Sequence, residues 1–313
     1  MRKKCILVGS VGSARAMCST IGLFYALKYY DFDIIGMTGV SGGSIALPLL
    51  AQDISINELV QTISTVDGSK IQDQDITQQA IDWVRNKLGM KRKGDVPFTG
   101  VFRGNGLKGE LKKVYAKYNA LTFENAKIPF SVIATKIAIP EQYVAITEQN
   151  PHITFLNAIT RNFKEVFKHG DVLCPVRAST AIPLIFRPEK INRCLYVDGG
   201  AVESIPVWSA IQEYGKYDVF VADATGDILT EPMFADDVDS LIEIGVATIH
   251  SIIRESSLQK LNQSMTLLNS ISKQIVLVKP KIKVGMTEVK QYEPAIMQAY
   301  DYALKYIPEV YSV

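Results

Sequence analysis

Histidine is scarce in this chain: its 313 residues include only His152, His169 and His250. None lies in a pattern that ties it to a catalytic loop, and His250 falls inside a helix-periodic run. A triad built on histidine has no anchor here, and all three read as surface or structural residues. The four cysteines, Cys5, Cys18, Cys174 and Cys194, form no C-x-x-C pair, which removes the usual zinc and dithiol spacings. Scattered thiols of this kind suit a reducing compartment and buried free side chains. No apolar run approaches the ~18 residues of a membrane span, and there is no internal repeat, low-complexity tract or flexible linker. The first residues imitate a secretory leader: Met1-Arg2-Lys3-Lys4 precede Cys5-Ile6-Leu7-Val8, and Ala14-Arg15-Ala16 imitates a cleavage site. That apolar stretch is broken by glycines and falls at or below the short end of leader cores. Cys5–Val8 reads instead as a first buried strand. A cytoplasmic protein, at most peripheral to a membrane, is expected.

Hydrophobic residues make up 47% and charged residues 21% of the chain, an ordinary balance that can bury one large α/β domain. The formal charge of +2 hides an asymmetry. Between Arg85 and Lys117, ten Lys/Arg face only Asp95 and Glu110, so this segment carries +8 and the remainder −6. A solvated basic face is one reading; attraction to an anionic membrane is the sharper one. No nucleic-acid-binding module accompanies the charge, so nucleic acid is not expected.

The chain is organised around Met37-Thr38-Gly39-Val40-Ser41-Gly42-Gly43-Ser44-Ile45-Ala46. Phe32–Gly36 reads as a buried strand and Ile45–Ala51 as helix, with Ser41 at the turn between them. In that context G-x-S-x-G is a nucleophile elbow: Gly39 and Gly43 let strand and helix approach, and the helix start faces the hydroxyl. Pro48 is expected to remove a helix bond or bend the axis. With strand Cys5–Val8 and helix Arg15–Tyr29 ahead of the elbow, two βα units open the chain and imply a mainly parallel sheet. Further strands are read at Phe130–Thr135, Tyr143–Thr147, Cys194–Val197, Tyr217–Ala222 and Gln274–Val278. Helices are read around Phe155–Phe167, over Val238–Ile253 with a continuation through Leu258, Leu261, Met265 and Leu268, and from Pro294 to Tyr306, with Pro308 as stop. Residues 54–127 read as a mostly helical insertion placed to cover a site. Ile76, Ala80, Trp83, Val84 and Leu88 mark one of its helices, and Leu107, Leu111, Val114 and Tyr118 another. One domain spanning 1–313 is expected.

Ser41 needs a base, and the best placed is Asp198, at the end of strand Cys194–Val197 and followed by Gly199 and Gly200. A buried aspartate there can take the proton directly. Upstream, Arg177-Ala178-Ser179-Thr180-Ala181-Ile182-Pro183 is not generic turn sequence. With these residues the chain resembles the patatin-like phospholipases, whose marks are a glycine-rich oxyanion loop after the first strand, G-x-S-x-G, R-A-S-x-A-x-P and D-G-G or D-G-A. The resemblance is carried by about residues 5–50 and 128–211. It implies a three-layer α/β/α sandwich with a mainly parallel central sheet. It also implies a Ser41–Asp198 dyad that hydrolyses acyl esters of lipids without metal or nucleotide cofactor.

The loop departs from the family's G-G-G-x-(K/R)-G, reading Val11-Gly12-Ser13-Ala14-Arg15-Ala16. Val11, Gly12, Ser13 and Gly42 are the expected oxyanion donors, and Arg15 a candidate for an anionic head group. Val11 and Ser13 admit fewer backbone conformations than glycine, with Val11 the less comfortable of the two. A second reading therefore keeps the fold and the lipid pocket in a binding or regulatory protein without turnover. A third, dinucleotide binding through Gly9-Ser10-Val11-Gly12, lacks the G-x-G-x-x-G spacing and a matching acidic residue.

Overall fold

The computed structural model describes residues 2–73, 100–137, 163–225, 258–271 and 273–311. Strands β1 (Lys4–Gly9), β2 (Asp33–Val40), β4 (Phe130–Ile137), β9 (Asp218–Ala222) and β10 (Ile275–Val278) run parallel in the order β10-β9-β1-β2-β4. Three antiparallel members complete the sheet: β5 (Lys164–Phe167) and β8 (Cys194–Asp198) on β4, and β7 (Glu189–Ile191) on β8. A separate short pair joins β3 (Gly100–Phe102) to β6 (Leu184–Phe186) in parallel. The parallel strands are apolar almost throughout because both faces are covered. Along β1, Cys5 and Leu7 enter one core cluster while Ile6 and Val8 enter another; on β9, Phe220 and Ala222 divide from Val219 and Val221 in the same way. Period-two alternation thus feeds two cores, one per face.

On the first face lie α1 (Ser13–Tyr29) and the long C-terminal helix α9 (Tyr292–Val310); the second is covered by α8 (Val207–Tyr214) and helical residues 258–269. This is the expected α/β/α sandwich of helices around a mostly parallel sheet. In the 258–269 helix, Leu261, Ser264 and Leu268 are buried while Met265 faces solvent, so its inner face is rotated from the expected one. Within 54–127, the described helices are α4 (Ile56–Ile63), α5 (Gly68–Ile71) and α6 (Asn105–Lys117). The helix expected at 76–88, the strand at 143–147 and the helix at 238–253 lie outside the described residues.

Two expectations change. Residues 164–167, read as the end of a helix, form β5, whose residues pair one by one with Thr135 back to Val132. Pro308 does not stop α9, which continues to Val310. Lacking an N–H, a helical proline leaves the carbonyl four residues earlier without its usual donor. That carbonyl is Leu304's, and the Tyr30 hydroxyl donates to it at 2.5 Å. After the elbow the apolar run splits as Pro48 foreshadowed, into α2 (Gly42–Ile45) and α3 (Leu47–Leu50). Pro48 falls in the first turn of α3, where a missing N–H is harmless.

Candidate active site

The pairing of β4 explains how two distant segments meet. Val132 to Thr135 pair with β5 along one edge. A strand residue pairs once per edge, so the other edge must accept both β2, at Phe130–Ile133, and β8, from Ala134 onward. Val40 sits opposite Ile133 and Asp198 opposite Ala134. The two strands therefore end at a common seam on one edge of β4, β2 delivering Ser41 and β8 delivering Asp198. Across the seam the Ser41 Oγ–H donates to Asp198 Oδ2 at 2.6 Å.

Ser41 occupies φ +51°, ψ −131°, a region that side-chain-bearing residues avoid and that functional turns retain. Its amide donates to Ser179 Oγ at 2.9 Å, and the Ser44 hydroxyl donates to its carbonyl at 2.7 Å. Gly42 follows directly against α1: a β-carbon there would fall onto the Ser13 carbonyl oxygen. The Gly43 amide donates to Ser10 O, and Gly39 pairs with Gly9 on β1 and Val132 on β4. Asp198 Oδ1 accepts the Gly200 N–H at 2.7 Å, within the 3-10 turn Gly199–Ala201. The Asp198 amide donates to Ala181 O, and the Thr135 hydroxyl donates to the Asp198 carbonyl. Its carboxyl is almost fully enclosed. Burial pushes its pKa up to about 6, against smaller lowering by the Ser41 hydroxyl and the Gly200 amide. Among the described residues, no charged group contributes to that shift.

The loop after β1 behaves differently from its expected form. The Val11 amide donates to Ser204 O at 3.0 Å, so it is committed away from Ser41. Val11's side chain packs on Gly200 instead. It is Ser13, not Val11, that bears the conformational load, at φ +54°, beside Gly12 at φ +141°. The amides of Gly12, Ser13 and Gly42 have no hydrogen-bond partner among the described residues. Those of Ser13 and Gly42 open α1 and α2, where first-turn N–H groups have no helical acceptor. Arg15 is half-buried and lines no part of the pocket. His169 is exposed beside Glu124; His152 and His250 lie outside the described residues.

Ser41, Gly42 and Ser13 border a cavity of about 770 Å³ of empty space, its open mouth included. Its wall is apolar: Met17 from α1, Ile63 from α4, and Leu107, Leu111 and Val114 from α6 are among its lining. Tyr115 and Tyr292 also face it, but their hydroxyls are occupied by the carbonyls of Ile45 and Met286. Met286, Tyr292, Thr180 and Phe186 were not foreseen as site residues. The first two carry no local signal, whereas Thr180 sits inside the R-A-S-x-A-x-P segment. That segment forms α7 (Leu173–Ser179) and the turn after it. Its Arg177 is buried and donates to the carbonyls of Arg103, Gly104 and Arg187, tying residues 103–104 to the sheet.

The site therefore sets an acidic side chain beside a strained serine that lines an apolar cavity. The chain is a member of the patatin-like phospholipase family, whose model matches residues 10–211, well over half its length. Among solved structures it is similar to VipD from Legionella pneumophila, at 14% identity and a TM-score of 0.45, over 98% of this chain and 67% of that one.

The raised pKa of Asp198 carries a stability consequence. A carboxyl that titrates higher folded than unfolded contributes stability in its protonated form. That contribution is complete below the unfolded value near 4 and is lost as pH rises through about 6. Asn at 198 keeps an acceptor for Gly200 and offers a donor to Ser41. Urea denaturation of Asp198→Asn is expected to show a stability advantage over the parent that grows by about 2–3 kcal/mol between pH 4 and 7. A difference that stays flat with pH would mean the carboxyl titrates normally.

Proposed function

We propose that the protein is a serine lipid acyl hydrolase of the phospholipase A, lysophospholipase or esterase type, with Ser41 as nucleophile and Asp198 as its base. The observation that carries this reading is the 2.6 Å hydrogen bond from Ser41 Oγ to Asp198 Oδ2, with Ser41 lining an apolar cavity. Ser41 Oγ attacks the ester carbonyl carbon as its proton passes to Asp198. The oxyanion so formed is held by the free amides of Ser13 and Gly42, with Gly12 beside them, and by the positive end of α1. Collapse expels the alcohol, which takes the proton back from Asp198, and leaves the acyl group on Ser41. Asp198 then takes a proton from a water molecule as that water attacks the acyl carbon. Collapse breaks the bond to Ser41 Oγ, which recovers the proton from Asp198 as the carboxylic acid leaves. The cavity takes the acyl chain, since its lining among the described residues offers no charged side chain to a head group. No metal or nucleotide has a role in these steps.

The Val11 amide, bonded to Ser204, and the strained Ser13 favour a second reading: a lipid-binding protein with weak or no turnover. Hydrolysis of a soluble acyl ester decides between them. The first reading expects activity that Ser41→Ala and Asp198→Ala each abolish with the fold intact, and that survives replacement of His152, His169 and His250 together. Because the base acts as carboxylate, kcat/KM should fall as pH drops through about 6. Retained activity in either single variant sinks the pair; a folded parent with no activity supports the lipid-binding protein.

We also place residues 54–127 as a lid within a single domain. Its helices α4, α5 and α6 contribute Ile63, Ile71, Leu107, Leu111 and Val114 to the cavity wall. The outer side of α6 carries the exposed Lys112, Lys113 and Lys117, part of the segment with charge +8. An anionic membrane would meet this basic face on the helix whose inner side lines the cavity. Binding to acidic vesicles is expected to exceed binding to neutral ones and to weaken with salt, since exposed charges are screened over about 10 Å at 0.1 M. Reversing Lys91, Arg92, Lys93 and Lys112 to glutamate should reduce that binding and spare hydrolysis of a soluble ester. Equal binding to both vesicle types at low salt would make the charge a solvated face.

A further inference from the structure

Two adjacent hydroxyls on α7 and its end behave differently. Thr180 Oγ1 bonds back to the Val176 and Arg177 carbonyls of its own helix, a common local use of threonine. Ser179 reaches outward. Fully buried, it accepts the Ser41 N–H at 2.9 Å and donates to the Ile133 carbonyl at 2.6 Å. Those two partners flank the seam: Ile133 is the last β4 residue paired with β2, and Ala134 is the first paired with β8. At that step neither strand supplies a backbone partner, because Ser41 has turned out of β2 at φ +51°.

From this we infer that Ser179 is a positioning residue for the reaction: its hydroxyl bridges the seam and fixes the backbone angle that aims Ser41 Oγ at Asp198. The inference rests on the reading of Ser41 and Asp198 as the reacting pair. The direction of Oγ is set by the Ser41 backbone, which Ser179 restrains at the amide and Ser44 at the carbonyl; of these two, only Ser179 also bonds β4 across the seam. Removing the hydroxyl leaves a buried N–H without an acceptor in a conformation already unfavourable, so the turn relaxes. The same change loosens the Ser41–Asp198 bond. That bond lowers the Asp198 pKa against burial, with the Gly200 amide as the only other lowering group among the described residues. Charged residues on the neighbouring elements are engaged elsewhere. Arg177 points at three carbonyls, and Glu203, beyond the Gly199–Ala201 turn, is held by Lys164 and Ser209.

Two measurements test this on the full chain. The first is a carbon-13 carboxyl titration of Asp198, assigned with Asp198→Asn, which needs no turnover. The second is steady-state hydrolysis of a soluble ester. In Ser179→Ala the carboxyl should titrate above its parent value, and kcat should fall about tenfold or more, since misplacing a reacting group by about 1 Å can cost ~100-fold. KM should stay within about twofold, because Ser179 lines no part of the cavity. Ser179→Thr, which keeps the hydroxyl, should bring both values back towards the parent. Ser179→Cys keeps the volume with weaker hydrogen bonds; it replaces alanine if that variant does not fold and should move both values the same way. A folded variant whose Asp198 titrates as in the parent overturns the inference, whatever its rate. A parent protein without hydrolysis removes the functional reading instead, and the titration still decides whether Ser179 holds the pair together.

Discussion

One strand edge organises this molecule. β4 pairs with β2 up to Ile133 and with β8 from Ala134, so two strands of opposite direction end facing each other. A strand end is where side chains leave the ladder's constraints while their backbone stays anchored. Placing two such ends together brings Ser41 and Asp198 within hydrogen-bond reach without either sitting on a long loop. The cost is local: a serine at positive φ, a glycine turn after Asp198, and an amide satisfied by a side chain. The rest of the fold supplies rigidity around this seam. β1 and β9 continue the sheet on one side, and α7 closes over it from another.

Burial then gives the seam its chemistry. An exposed aspartate near pKa 4 is a poor base at neutral pH, because it holds a proton weakly. Enclosed at the end of β8 with one amide and one hydroxyl as partners, Asp198 is drawn towards pKa about 6. It remains ionised at neutral pH yet accepts a proton more readily. The two side chains meet directly, with no group between them. The described wall of the cavity beyond is mainly apolar, and two of its polar atoms, the hydroxyls of Tyr115 and Tyr292, are already bonded to backbone carbonyls.

Much of this was legible in the sequence, for physical reasons. After their first residues, β1 and β9 are apolar runs buried on both faces, and such runs are hard to mistake. The elbow and the D-G-G turn are local signatures whose residue types follow from backbone sterics. What escaped was settled by distant contacts. β5 is short and half-buried, with no apolar run to mark it. α9 outlasts Pro308 because Tyr30, far away in sequence, takes up the orphaned carbonyl. Val11's amide turns from Ser41 because Ser204 offers it a carbonyl. The roles of Ser179 and Tyr292 likewise depend on where other segments fold, and no spacing in their own neighbourhoods encodes that.

The central claim is that Asp198 alone activates Ser41. Its most direct measurement is the rate of covalent labelling by a fluorophosphonate, with the modified peptide mapped by mass spectrometry. It reports nucleophile activation without knowledge of the substrate. The account predicts a single label on Ser41 in the parent protein, and labelling slowed by orders of magnitude in folded Asp198→Asn. Label on another residue, or equal rates with and without the carboxylate, would contradict it.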